Sequence, residues 1–231
     1  MAARDGRHRR AAGRELMTGE AARAARWLSS KSDSIGTYEN VADSFAWLQR
    51  DDGRRIGLGA LDDPVVTGSM VARLVEDYPE AELVLLMHKP IRVDGLAFVE
   101  ADSHGVVLCD WADAIRAVDQ EEPSEYVSPS IRFAFAHIHG LSNVVKISRV
   151  GLNRFEVECR TGVIKSVVLD IGYEPTTAQF FDELAQGLFD YYYCTNPNGA
   201  GPALGLYKAA ADAGIEVFVR PGQLMSALAK T

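Results

Sequence analysis

The chain is expected to be an α/β protein with a mixed sheet, built from strand-helix-strand-helix segments at 83–118 and 190–229 with an antiparallel meander between them. Three observations lead there. Leu83-Val-Leu-Leu-Met87 is a continuous apolar run of the kind that fills the middle of a mostly parallel sheet. Gly105-Val-Val-Leu-Cys109 and Gly214-Ile-Glu-Val-Phe218 stand 109 residues apart in equivalent settings, each a short apolar run behind a glycine that ends a helix. Between residues 131 and 169 the texture changes to alternation and turns, punctuated by Gly151-Leu-Asn153 and Thr161-Gly162. The first two patterns are the marks of parallel strands joined by helical crossovers. Their recurrence is explained either by a duplication or by the punctuation that every βαβ unit shares.

Taken in order, residues 1–34 read as a basic tail followed by a short amphipathic helix at 15–28, carried by Leu16, Ala24, Trp27 and Leu28. An N-terminal α/β segment covers 35–120. It opens with a helix expected at 38–48, with Val41, Phe45 and Leu48 on one stripe and Asp51-Asp52-Gly53 closing it. A helix starting near Pro64 runs to Pro79, which breaks it. The apolar strand at 83–87 follows, then a helix at 93–103, a strand at 106–109 and a helix at 111–118. The C-terminal segment, 121–231, begins with strands expected around 132–138, 143–150, 154–160 and 166–171. Thr176 and Gln179 form a capping-box pattern that opens a helix through Leu184. A strand at 189–194, a helix at 202–213 with proline at its start and Gly214 past its end, a strand at 215–219 and a helix at 222–229 complete the chain.

At 231 residues and 47% hydrophobic content the chain can bury a core without disulfides or a structural metal. Cys109, Cys159 and Cys194 are too few and too scattered for a disulfide framework or a CxxC knuckle, and each lies in an apolar run that suits a small buried side chain. No apolar stretch approaches the roughly 20 residues that span a bilayer, and the N-terminus lacks the apolar core of a secretory signal. The expected location is therefore the cytoplasm, with no membrane partner. Arginine outnumbers lysine 18 to 6, a composition that suits a GC-rich bacterial genome. The net charge of −8 hides an asymmetry: residues 1–31 carry a balance of +5, so the remainder is strongly acidic. Such a body repels phosphate backbones, which leaves the basic N-terminal tail as the place for any nucleic-acid contact.

Several groups of residues carry candidate chemistry. His137-Ile-His139 on a strand would present two imidazoles to one side, and Glu156 and Glu158 likewise share a face; with Asp170 they would make a mixed histidine-carboxylate metal site. Paired surface histidines are the plainer reading. The segment Thr195-Asn-Pro-Asn-Gly-Ala-Gly-Pro202 follows a strand and opens a helix, so free amides near its end suit an anion at the positive helix terminus. Its glycine spacing fits neither the dinucleotide fingerprint nor the Walker loop. Thr195, Asn196, Asn198, Gly199 and Gly201 are the candidate ligand-binding residues, at the strand carboxyl end where ligands of open α/β sheets sit. Tyr191-Tyr192-Tyr193 reads as a buried strand with hydroxyls at its margins.

The stretch from 155 to 228 resembles the later half of a restriction-endonuclease-like domain of the Mrr type, in the PD-(D/E)XK superfamily. Phe155-Glu-Val-Glu-Cys-Arg160 stands where that family has its catalytic strand, followed by a helix; Tyr191-Tyr-Tyr-Cys-Thr195, a helix ending at Ala213-Gly214-Ile215 and a terminal helix through Leu224 come after it. The resemblance implies Mg²⁺-dependent phosphodiester cleavage by an upstream Asp and a Glu-x-Lys pair. It makes Glu158, Arg160 and Asp170 the candidate catalytic residues. The chain departs from the pattern, because no Glu-x-Lys or Asp-x-Lys occurs in it and no Asp lies between Asp119 and Glu158. A guanidinium at Arg160 stays charged and is a poor substitute for the lysine. Two functions remain open on the sequence. One is a degenerate restriction-endonuclease-like module acting by binding or assembly in nucleic-acid metabolism or defence. The other is an α/β scaffold that takes a small anionic ligand or a protein partner through the 195–202 loop. No particular cofactor is indicated.

Overall fold

The computed structural model describes residues 19–88, 92–196 and 198–231. Helix α1 (Glu20–Ser29) turns Ala21, Ala24, Ala25 and Leu28, spaced at three and four residues, onto the first sheet. Strands β1 (Ile35–Ala42), β2 (Phe45–Arg50) and β3 (Arg55–Leu61) form an antiparallel meander, and its second turn needs Gly53 at φ +91°. A short strand β4 (Val65–Val66), helix α2 (Gly68–Asp77) and β5 (Ala81–Leu86) follow, with β5 running parallel to β3. Then come β6 (Arg92–Val93) beside β4, helix α3 (Gly95–Ser103), β7 (Val107–Cys109) parallel to β5, and helix α4 (Trp111–Val118). The sheet order is β1-β2-β3-β5-β7, with α1 and α4 packed on one face and α2 and α3 on the other.

A second half repeats this plan. Helix α5 (Pro129–His139) leads into the meander β8 (Val144–Arg149), β9 (Arg154–Cys159) and β10 (Ile164–Asp170). Helix α6 (Thr177–Leu184), β11 (Tyr191–Cys194), helix α7 (Leu204–Asp212), β12 (Glu216–Phe218) and helix α8 (Pro221–Ala229) complete it. The sheet order is β12-β11-β10-β9-β8, with β10, β11 and β12 parallel and α5 and α8 opposite α6 and α7.

The correspondence reaches the level of single hydrogen-bonded pairs. Phe45 faces Gly59 and Leu48 faces Ile56 in the first half; Arg154 faces Val168 and Val157 faces Lys165 in the second, each 109 residues on. Both β1 and β8 carry a bulge after their first paired residue, between Ile35 and Thr37 and between Val144 and Lys146. Gly53 and Gly162 turn the same hairpin at positive φ, Gly105 and Gly214 end the same helix, and Thr67 and Thr176 stand at the same N-cap. The identical register makes the halves structural repeats, and it extends the 109-residue recurrence seen in the sequence back across the whole unit.

Two elements differ from expectation. Residues 38–48 form strands, because the apparent helical stripe of Val41, Phe45 and Leu48 belongs to two strands that meet at a tight turn after Ala42. Residues 132–138 form helix α5, because Ile131, Ala134 and Ile138 share a buried stripe and Pro129 presets the first turn. The part of the N-terminal helix expected before residue 19 lies outside the described residues.

The halves join head to tail. Helix α3 and the carboxyl ends of β5 and β7 in the first half receive the β8–β9 turn of the second. Gly95 lies so close to Val150 that a Cβ would meet its Cα at 3.2 Å. Arg149 locks the junction: its guanidinium sits 4.1 Å over Phe98 and 5.9 Å from Phe155, and donates to the carbonyls of Gly151 (3.3 Å) and Leu152 (2.7 Å). Burial pushes Arg149 down to about 10, while Asp113, Asp102 and Asp110 favour its charge. It therefore remains a cation at neutral pH.

Candidate functional site

A cavity of about 580 Å³ lies along this junction, at the carboxyl ends of β5, β7 and β10. Strand ends that stop at a junction leave side chains and loops facing an opening rather than a core. On the first-half side it is lined by Leu86, His88, Asp110, Asp113 and Arg116; on the second-half side by Asp170, Gln179, Asp182, Glu183 and Tyr192, with Arg149 between. Asp110 caps α4 by accepting from the Asp113 amide at 2.8 Å. Asp113 in turn accepts from Tyr126 Oη at 2.7 Å and pairs with Arg116 at 3.0 Å.

The repeat shows what is unusual about the second-half wall. Phe45, Leu61, Leu74 and Val84 form part of the first-half core, and all are buried. The residues at the equivalent strand and helix positions of the second half are Arg154, Asp170, Glu183 and Tyr192. An apolar cluster has become an ionic and hydrogen-bonded one. Arg154 Nε lies 3.5 Å from Glu183 Oε2, a distance without a well-formed hydrogen bond at Nε, and its Nη2 donates to the Glu183 carbonyl. The guanidinium also lies 5.1 Å from the Phe189 ring. Tyr192 Oη donates to Asp170 Oδ2, and Asp170 Oδ1 accepts from the Gly172 amide at 2.7 Å. Burial raises the Glu183 carboxyl despite the opposing charge of Arg154, and burial with the bond to Asp170 raises the Tyr192 hydroxyl. Tyr192 is accordingly a fixed donor at neutral pH.

The 195–202 loop supports this wall. The Thr195 amide donates to the Asp170 carbonyl at 2.7 Å, Asn196 Nδ2 to the Ile171 carbonyl at 3.2 Å, and the Ala200 amide to the Tyr173 carbonyl at 2.7 Å. The Asn198 amide donates to Asn196 Oδ1 and the Gly199 amide to the Asn196 carbonyl. First-half counterparts exist for two of these contacts: Met87 donates to Leu61 as Thr195 does to Asp170, and Asp94 donates to Val66 as Ala203 does to Pro175. Most of the amides that were candidates for an anion are thus used in holding the end of β10, and Gly201 is held at φ +84°.

The remaining sequence candidates do not come together. Glu158 faces Ile164, six residues before Asp170 on β10, which separates the two by about 20 Å at the strand rise. Arg160 turns away to bond the Ser142 carbonyl at 3.0 Å. The strand that feeds a helix is β10, not the Glu158-bearing β9, and Lys165 on β10 pairs with Asp190 at 2.8 Å. His137 and His139 lie on a helix rather than a strand, so their i, i+2 spacing points them apart. Helix α5 packs on the face with Phe155 and Val157, opposite to Glu156 and Glu158. His137 Nδ1 is 2.8 Å from the Phe133 carbonyl, and among the described residues no group of three or more His, Cys, Asp or Glu is placed to hold a metal. The three cysteines are buried and free, and no described helix is long and apolar enough to cross a membrane.

Arg149, Arg154, Glu183 and Tyr192 were not among the sequence candidates. Laying the two halves together at 109 residues would have exposed three of them, as polar residues where the partner half is apolar. Comparison with known proteins gives no match to a family model, a curated protein or a solved structure.

Proposed function

We propose that this chain is a catalytically silent, restriction-endonuclease-like module that acts by binding, in nucleic-acid metabolism or defence, and that its junction cleft takes a group carrying a cationic nitrogen. The observation that carries the reading is the replacement of Phe45, Leu61, Leu74 and Val84 by Arg154, Asp170, Glu183 and Tyr192 at equivalent positions. Replacing a buried ion pair by apolar residues is commonly neutral or stabilising by about 1–4 kcal/mol, so a polar wall in one repeat alone is better accounted for by contact than by stability. Five carboxylates, Asp110, Asp113, Asp170, Asp182 and Glu183, line the cleft against Arg116, Arg149 and His88. That excess favours a cation and repels phosphate. In this reading nucleic acid, where it is bound, is met by the basic residues near the N-terminus. Nuclease silence is supported by the separation of Glu158 from Asp170 and by the pairing of Lys165 with Asp190.

The test has two arms. Purified protein with Mg²⁺ or Mn²⁺ should leave DNA and RNA intact; robust cleavage abolished by Glu158→Ala would sink the silent half of the reading. Spermidine, used as the cationic reagent, should slow hydrogen exchange at residues 168–172 and 179–186, inorganic phosphate should not, and Asp170→Asn should weaken the protection at least tenfold in spermidine concentration. Equal protection by phosphate, or none by spermidine, rules out the cation.

A further inference from the structure

The head-to-tail junction leaves one unused face at each end of the molecule, and we infer that a second copy of this chain fills them, with the α7 face of one copy receiving the β1–β2 turn of the next. A junction between unlike faces has no internal closure, so each repeat keeps the face that its partner has used. In the first half, α3 is covered by the β8–β9 turn, and Phe98 is 6% exposed. In the second half the matching positions of α7 are open: Leu204, in the place of Gly95, is 88% exposed, and Tyr207, in the place of Phe98, is 42% exposed. The matching turn of the first half is open as well, with Val41, the counterpart of Val150, 51% exposed. Apolar side chains therefore stand uncovered on both faces that the internal junction would continue.

Charge follows the same logic with its sign exchanged. Inside the chain the acidic side is the first half, where Asp102, Asp110 and Asp113 surround Arg149. At the open ends Asn40 takes the place of Arg149, Ala211 that of Asp102, and Arg220, the N-cap residue of α8, that of Asp110. Opposite it, Asp43 and Asp63 occupy the positions of Leu152 and Gly172, both of which line the cleft across from Asp110. A basic α7–α8 end thus meets an acidic turn. Leu204 fills the space that Gly95 leaves for a neighbouring backbone, so this junction is closed by side chains and stands wider than the internal one.

Sedimentation of the full chain over a range of concentrations tests the inference. Wild type should grow in mass past the dimer, since a head-to-tail contact leaves free ends, and the growth should weaken in high salt. Leu204→Glu and Val41→Glu should each give monomers whose melting temperatures stay near wild type, because both residues are exposed. Mixed together, the two variants should form a 1:1 dimer and nothing larger, as each retains the face the other has lost. A wild type that remains one chain at every concentration overturns the inference. So does a mixture that stays monomeric, which would mean a contact between like faces. Association that begins only when residues 1–18 are removed would assign an open face to the chain's own N-terminal segment, and overturns it too.

Discussion

Gly201 and Gly199 are glycines for different reasons. At Gly201 nothing lies within 4 Å of a would-be Cβ, but φ is +84°, so any side chain is disfavoured by its own backbone. At Gly199 the obstacle is steric, since a Cβ would meet the Tyr173 carbonyl oxygen at 2.6 Å. Gly201→Val should therefore cost about 1–2 kcal/mol of stability, read as a lower urea midpoint, while protection of residues 179–186 by spermidine is retained. Loss of that protection with an unchanged midpoint would return the loop to the ligand. The same logic separates the two asparagines from the site: Asn196 spends its amide on Ile171 and its carbonyl oxygen on Asn198, and both bonds steady the strand end that presents Asp170.

Helix α6 and strand β9 can be rewritten with the solution that α2 and β2 already use. Arg154→Phe alone leaves Glu183 buried beside Asp170 without its counter-ion and should destabilise by about 3–5 kcal/mol. Arg154→Phe with Glu183→Leu restores the Phe45–Leu74 pairing and should recover that loss or exceed wild type, measured by urea unfolding. If the double variant is no better than the single, the two positions are not coupled as the repeat implies. Elements of this kind were only partly legible in the sequence. Punctuated segments with an apolar strand between two helices, 83–118 and 190–229, stood out because glycine and proline mark their ends. The first meander did not, since β1 and β2 are joined by so short a turn that Val41, Phe45 and Leu48 mimic a helical stripe. Helix α5 failed in the opposite way, because Phe133, Phe135, His137 and His139 alternate with small residues like a half-buried strand. Of the site, Asp170 was visible as a lone carboxylate, whereas Arg154 and Glu183 gain meaning only when set against Phe45 and Leu74.

The whole molecule depends on Arg149 as much as on either core. Arg149→Ala removes the stack on Phe98, frees two carbonyls and leaves three carboxylates without their cation. The expected result is a loss of about 2–4 kcal/mol and a calorimetric profile that divides into two transitions, one for each half. A single transition shifted as a unit would mean that the halves cooperate through other contacts. The constant 109-residue offset has a consequence for how such a chain changes over generations. When one unit is copied and fused to itself, the backbone requirements are inherited twice, and Gly53 with Gly162, Gly105 with Gly214 and Thr67 with Thr176 are still the same residue in both copies. Side chains in the core carry no such obligation once one copy suffices to keep the fold intact. The first copy could therefore remain conservative while the second accumulated charged residues that a lone ancestor would have been purged for carrying.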